Sequence, residues 1–283
     1  IVANRDVALR FSQETQKGIN PLGGHNFWLA DSKICNDYIN RLFLGTDYSD
    51  ESNHRYGWKQ VIEGLYSSDI LVNDLQRSKY VLIDSMESHF LWNTPRLLTK
   101  PWYGIIHYVD SLPPFYMREE RLDGLFDKML SGNFLNNCKG IITLSYDSKE
   151  KVAMRLKKTR YNIPVHSLRH PIKEIDNKFN LNNFISKDHY KIVQLGNQYR
   201  RVSDIYMINS PYEKLWLSGW KNKEYCMEAV RRECEYLSIT PSNNVNCYYT
   251  RTLDEFDEIL LNNIVIIPLW NATANNSVLE CMM

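Results

Sequence analysis

The stretch Tyr190-Lys191-Ile192-Val193-Gln194-Leu195-Gly196-Asn197-Gln198-Tyr199-Arg200-Arg201 decides how the rest of the chain is read. Ile192, Val193 and Leu195 make a short apolar run that ends on Gly196, and a basic, amide-bearing loop follows. Such a run predicts a buried parallel strand opening into a βα turn. Glycine lets a backbone approach a ligand closely, and N–H groups following it can cradle a phosphate. Arg200 and Arg201 add charge and bidentate donors suited to a diphosphate, with Gly196 and Asn197 forming the turn. The spacing is not G-x-G-x-x-G, which argues against a nicotinamide site. The plain alternative is an ordinary βα turn carrying two solvated arginines.

The same design recurs outward from this point. Lys214–Gly219, Val245–Tyr249 and Ile264–Leu269 read as strands, the last as the most apolar and buried of its half. Helical spacing covers Glu224–Leu237 and Leu253–Leu261. In the first half the clearest strands are Lys79–Asp84, Tyr103–His107 and Gly140–Leu144. Glu119–Leu135 shows helical periodicity between them, and Ser145 opens a further helix with capping residues. Strands alternating with helices predict an α/β protein built on parallel sheets. Two such sets suggest two Rossmann-like domains facing each other across a cleft, with residues 1–172 as the first and 190–283 as the second. The polar, asparagine-rich stretch 173–189 reads as the linker. The chain begins at Ile1 and ends at Met283 within a helical pattern, so it reads as a piece of a longer protein with an incomplete C-terminal domain. In open α/β sheets ligands bind beyond the carboxyl ends of the strands, which directs attention to the residues after each one.

The last strand runs into Pro268-Leu269-Trp270-Asn271-Ala272-Thr273-Ala274-Asn275-Asn276-Ser277-Val278-Leu279-Glu280. Small and amide residues fill the loop, and Asn275, Asn276 and Ser277 sit where a helix begins. Amide groups at such a start favour an anion, and Glu280, one turn on, can accept from ribose hydroxyls. The alternative is that Asn275 or Ser277 only caps the helix, with Glu280 completing a capping box.

This segment resembles the donor site of GT-B glycosyltransferases, especially the retaining group that includes glycogen synthase and mannosyl- and glucosyltransferases. In those enzymes a strand, a small-residue loop and a helix carry two glutamates separated by seven residues. The second falls on Glu280, whereas Ala272 stands at the first, a departure that leaves Asn275, Asn276 and Ser277 as substitutes for the hexose contact. The Tyr190–Arg201 stretch is similar to the family's first C-domain strand and phosphate loop. The resemblance implies a nucleotide-sugar donor, a UDP- or GDP-sugar, held by Gly196, Asn197, Arg200, Arg201, Asn271, Thr273, Asn275, Asn276, Ser277 and Glu280. It implies transfer to a glycan, lipid-linked or protein acceptor, with retention favoured and no cofactor or metal. No D-x-D is tied to a strand end, in keeping with that last point.

In the first half, His107 follows a strand within Pro101–Pro114, and the resemblance makes it a cleft-facing group near the transferred sugar. Asp110 is the alternative acid–base group, and imidazole titrates near neutrality, which suits either role. Gly23, Gly24 and His25 are candidates for the glycine-rich loop on the acceptor side. Trp216, Trp220 and Trp270 are candidates to line the cleft, against the plainer reading of core aromatics. His170 reads as structural.

Composition narrows the classes. Over 283 residues, 43% are hydrophobic, 24% are charged and the formal net charge is +1. This suits a folded protein with a sizeable core and argues against disorder. Near-neutrality disfavours a nucleic-acid partner, and a DNA-modifying glucosyltransferase with it, while a local basic patch and peripheral membrane contact stay open. Six cysteines show no C-x-x-C or zinc-ligand spacing and read as reduced thiols of a cytoplasmic protein. No run approaches the roughly 18 apolar residues of a membrane span. No pair of carboxylates is singled out as in a glycosidase. The competing functions are a sugar-nucleotide epimerase on the same plan and a non-catalytic relative that binds nucleotides or glycans.

Overall fold

A computed structural model describes residues 41–46, 58–92, 98–169, 179–218, 223–242, 244–249, 252–272 and 275–282. The described chain divides into two compact units. The first takes the residues up to Asp110 and from Arg118 to Arg169, and the second takes Ser111–Met117 together with those from Phe179 onward. Both are α/β, with wholly parallel sheets of Rossmann-like character.

The first unit has strands β1 (Leu42–Thr46), β2 (Leu71–Val72), β3 (Tyr80–Ile83), β4 (Trp102–Ile106), β5 (Cys138–Thr143) and β6 (Val165–Ser167). Their spatial order is β2-β1-β3-β4-β5-β6, all pairs parallel. Helices α1 (Trp58–Ser67), α2 (Leu122–Ser131) and α3 (Tyr146–Leu156) accompany them. The run Tyr80–Ile83 and the run Gly140–Thr143 are buried almost throughout, as central parallel strands require. Leu122, Leu125 and Met129 of α2, and Val152 and Leu156 of α3, bury the helical stripes. Phe90 fills the space between Trp102 and Phe134, with ring centroids 5.5 and 5.2 Å away. Gly104 on β4 permits this packing, because a Cβ there would lie 2.6 Å from the Met86 side chain and 2.8 Å from the Trp102 ring.

Two local readings change. The helical pattern over Glu119–Leu135 is split into a 3-10 turn at Arg118–Glu120, α2, and a second 3-10 turn at Phe134–Asn137. The break comes at Gly132 and at Asn133, whose φ of 53° is left-handed. The stretch read as a linker contains helix α4 (Leu181–Ile185). Asn180 caps it by accepting from the Asn183 N–H at 3.1 Å, and Phe184 packs on Phe179 and Tyr190.

The second unit has strands β7 (Lys191–Leu195), β8 (Glu213–Leu217), β9 (Val245–Tyr248) and β10 (Ile264–Ile266). Helices α5 (Asp204–Met207), α6 (Lys223–Leu237), α7 (Leu253–Asn262) and α8 (Asn276–Met282) complete the unit. The order is β10-β7-β8-β9, again all parallel. Side chains alternate between two apolar clusters. Val193, Leu195, Leu215 and Leu217 join Phe256 of α7, while Trp216 joins Cys226, Val230 and Cys234 of α6. Trp216 is therefore core. β10, expected to be buried, lies at the edge of the described sheet, and Ile264 is 38% exposed. No helix among the described residues is long and apolar enough to cross a membrane.

Candidate functional site

In chain order β7, β8, β9 and β10 are the first to fourth strands of their sheet, so the chain steps outward through β8 and β9 and then returns to β7's other side. The direction of winding reverses between β7 and β10. In open parallel sheets ligands bind beyond the strand ends at such a reversal. The two segments singled out from sequence, after Leu195 and after Ile266, leave these two neighbouring strands.

Gly196 has φ +74°, where an L side chain is strained, and a Cβ would also press on the Arg200 guanidinium. Its N–H donates to the Leu217 carbonyl at 2.8 Å, and its own carbonyl accepts the Trp216 indole N–H at 2.8 Å. Asn197 donates its amide to the Ser218 carbonyl. Tyr199 is also left-handed, at φ 61°. The loop then runs beside the segment after β10. Arg201 N donates to the Pro268 carbonyl at 3.1 Å, Trp270 N donates to the Tyr199 carbonyl at 3.0 Å, and Arg200 bridges Leu269 in antiparallel sense.

The arginines differ in what they do. Arg200 is a strut: Nε donates to the Leu195 carbonyl (3.2 Å), Nη1 to the Gln198 carbonyl (3.0 Å) and Nη2 to Asn275 Oδ1 (3.0 Å). Asn275 is buried and also accepts the Val278 N–H at 3.3 Å, so one side chain both caps α8 and receives the strut. Arg201 lies over the Trp270 ring, 5.1 Å from its centroid, and pairs with Asp204 at 3.2 Å while its side chain stays 42% exposed. The structure thus brings Gly196, Arg200 and Asn275 together directly, and joins Arg201 to the second segment through Trp270. Ser277 is buried at the start of α8, and Asn276 and Glu280 lie on that helix. Asn271 donates to the Ser111 carbonyl at 3.2 Å and accepts the Ala272 N–H at 2.8 Å. Thr273, Gly23, Gly24, His25, His170 and Trp220 lie outside the described residues.

A carboxylate that sequence reasoning missed organises these paired loops. Glu233 on α6 is 1% exposed and accepts from Val202 N (3.1 Å), Ser203 N (3.0 Å), the Ser203 hydroxyl (2.5 Å) and the Trp270 indole N–H (3.0 Å). Four donors compensate a buried charge that would otherwise be costly. Gln194 fixes the same loop from below, donating to the Val202 carbonyl at 3.2 Å and accepting the Ile205 N–H at 3.1 Å. The signal for Glu233 was its spacing: it falls seven residues after Cys226 and three after Val230, on the buried stripe of α6. Aromatic residues from Ser111–Met117 complete the surroundings, with Phe115 against Tyr236 and Trp270 and Tyr116 against Tyr199.

No protein-family model and no curated protein matches this chain. The chemistry therefore has to be argued from these positions alone.

In the first unit, His107 and Asp110 follow β4. The Glu87 carboxylate, 1% exposed, accepts both His107 N and Tyr108 N at 2.7 Å, so it holds the backbone on which His107 sits. Burial raises the Glu87 pKa from 4.5 to about 7, against the lowering effect of those N–H groups. His107 Nε2 contacts the Asp84 carbonyl at 2.7 Å. A carbonyl only accepts, so Nε2 carries the proton and Nδ1 is the ring's acceptor. Burial lowers the His107 pKa from 6.5 to about 4, which keeps the ring neutral at physiological pH. Asp110 is committed to Arg155, which Asp123 also holds at 2.7 Å, and Lys151 stands 3.9 Å from Asp110. Among the described residues no group of three or more His, Cys, Asp or Glu is arranged to hold a metal ion.

Two predictions follow from these contrasts. Arg200→Ala removes a charged donor from three acceptors and should cost about 1.5–3 kcal/mol by chemical denaturation. Arg201→Ala loses a half-exposed stacking contact and should cost about 0.5–1 kcal/mol; equal losses would contradict the distinction. The pH dependence of stability separates Glu87 from His107. A carboxyl raised in the folded state stabilises fully below pH 4.5 and loses that stabilisation as pH rises to about 7. A histidine depressed in the folded state stabilises above pH 6.5 and loses that stabilisation as pH falls to about 4. The two oppose each other between these limits. Relative to the parent, Glu87→Gln should make unfolding free energy climb more steeply with pH, and His107→Gln should make it fall, by at most about 1.4 kcal/mol per pH unit. Parallel pH profiles for the parent and both variants would contradict this account.

Proposed function

We propose that the chain is part of a glycosyltransferase of the GT-B type that holds a nucleotide-sugar donor at the β7/β10 crevice of its second unit. The observation that carries this reading is the convergence of the Gly196 loop and the asparagine-bearing segment after β10 at the reversal point of a parallel sheet. Ligands with phosphate groups favour that position in open α/β sheets, and Gly196 supplies the left-handed turn by which the chain leaves β7. Arg201, stacked on Trp270 and partly exposed, is the better diphosphate ligand of the two arginines, because Arg200 is occupied in holding the loops together. Asn275, engaged by Arg200, fixes the start of α8 beside the proposed donor.

In the reaction, the bond between the anomeric carbon and the diphosphate oxygen breaks, and the nucleoside diphosphate departs with the electron pair. Positive charge at Arg201 stabilises the departing group electrostatically. An acceptor hydroxyl forms the new bond to the anomeric carbon and releases its proton. His107, in the first unit, is neutral and protonated at Nε2 and carries no positive charge. Asp110 anchors α3 through Arg155. Ala272, standing where the resembled family has its first glutamate, favours a second reading: a relative that binds nucleotide or glycan without transfer.

A thermal-shift panel of UDP- and GDP-sugars tests both. A ligand that binds only the native state raises the melting temperature, by about 2.7 kcal/mol of added stability at a hundredfold excess over Kd. The expected result is a shift with one nucleotide class, at least tenfold weaker binding in Arg201→Ala, and sugar appearing on an added acceptor. Binding without any product favours the non-catalytic relative, acceptor-independent change of the sugar favours an epimerase, and unchanged affinity in Arg201→Ala contradicts the donor assignment.

A further inference from the structure

Although the chain is nearly neutral overall, residues 149–160 contain Lys149, Lys151, Arg155, Lys157, Lys158 and Arg160 against a single acid, Glu150. Two of these cations are paired with acids, and Arg160 donates to Asn133 Oδ1 at 3.0 Å and to the Tyr161 hydroxyl at 3.1 Å. Lys151 pairs with Asp147 at 2.8 Å, and Arg155 is shared by Asp110 and Asp123. They flank the buried stripe of α3 formed by Ser148, Val152 and Leu156. The opposite face is different. Tyr146 (58% exposed) and Met154 (53% exposed) lie on one i, i+4, i+8 line with Glu150 between them, and Lys158 continues it. Lys149 reaches over the Tyr146 ring, 5.4 Å from its centroid. Lys157 and Lys158 make no ion pair among the described residues. Where α3 ends, a depression of about 360 Å³ opens between it and the segment leading into β6, lined among others by Lys157, Thr159, Arg160 and Asn162.

We propose that this face of α3, with the depression at its end, docks on an anionic lipid bilayer. Lysines with long aliphatic stems set around an exposed tyrosine and methionine match the boundary between phosphate headgroups and acyl chains. Clustered cations are drawn to an anionic leaflet, and that attraction decays within a Debye length. Met154 decides between a bilayer and a nucleic acid as partner. It offers no hydrogen bond to a base or phosphate, yet it stands between the lysines where an apolar side chain can enter the interface. Asn162 stands beside Lys157 and Arg160 in the lining of the depression, where one headgroup phosphate can sit.

The test is co-sedimentation of the chain with vesicles of phosphatidylcholine alone or mixed with phosphatidylglycerol, at low and physiological salt. Binding to the mixed vesicles only, weakening with salt, is expected. The K149E/K157E/K158E variant should bind at least tenfold more weakly, and the milder K157Q/K158Q pair should fall between. All these side chains are at least partly exposed, so melting temperatures should stay with the parent. Met154→Ser should weaken binding while leaving its salt dependence unchanged. The proposal is overturned if the parent binds neither vesicle, if the charge variants bind like the parent, or if Met154→Ser has no effect while single-stranded RNA displaces the protein.

Discussion

The guanidinium of Arg200 donates to the last carbonyl of β7, to its own loop at Gln198, and to Asn275 at the start of α8. Two of these acceptors are local, and the third, Asn275, lies 75 residues away in sequence. A planar, permanently charged fork suits this task, because its donors diverge in fixed directions and remain protonated at any physiological pH. Gly196 has to be a glycine partly for the same reason, since a Cβ would press against Arg200 as well as strain the backbone. Once the strut is in place, the two loops run side by side and exchange backbone hydrogen bonds through Tyr199, Arg201, Pro268 and Trp270.

Glu233 completes the arrangement from the opposite direction. Its carboxylate ties the loop after β7 and the Trp270 indole to α6, and Arg201 rests on the face of that indole. One arginine is consumed in holding the crevice together, while its neighbour stays partly exposed on a surface the crevice has fixed. The two adjacent arginines thus have different surroundings, and in the proposed donor site it is the second that would meet an anion from a fixed position.

Much of the fold was legible because long apolar runs leave little choice. Tyr80–Ile83, Gly140–Thr143 and Lys191–Leu195 are central strands, and a central parallel strand must be apolar on both faces. Ser145 also caps its helix as its position suggests, accepting from Ser148 N. The two-residue β2 and the three-residue, half-buried β6 were not legible, since their pairing is set by neighbours and not by their own composition. β10 looked buried because Ile264–Ile267 is wholly aliphatic, yet burial depends on having a neighbour on each side, which no single strand reveals. At the site, the two loops could be found from glycine and amide chemistry. That Arg200 would turn inward and Arg201 outward could not, because nothing in the dipeptide distinguishes them before the loops are paired.

Backbone hydrogen–deuterium exchange, followed with and without a saturating nucleoside diphosphate, tests the central claim most directly. The account predicts slowed exchange concentrated at residues 196–201 and 268–277, with the loops after β8 and β9 little changed. Protection confined to other strand ends, or no protection by UDP or GDP anywhere in the second unit, would contradict it.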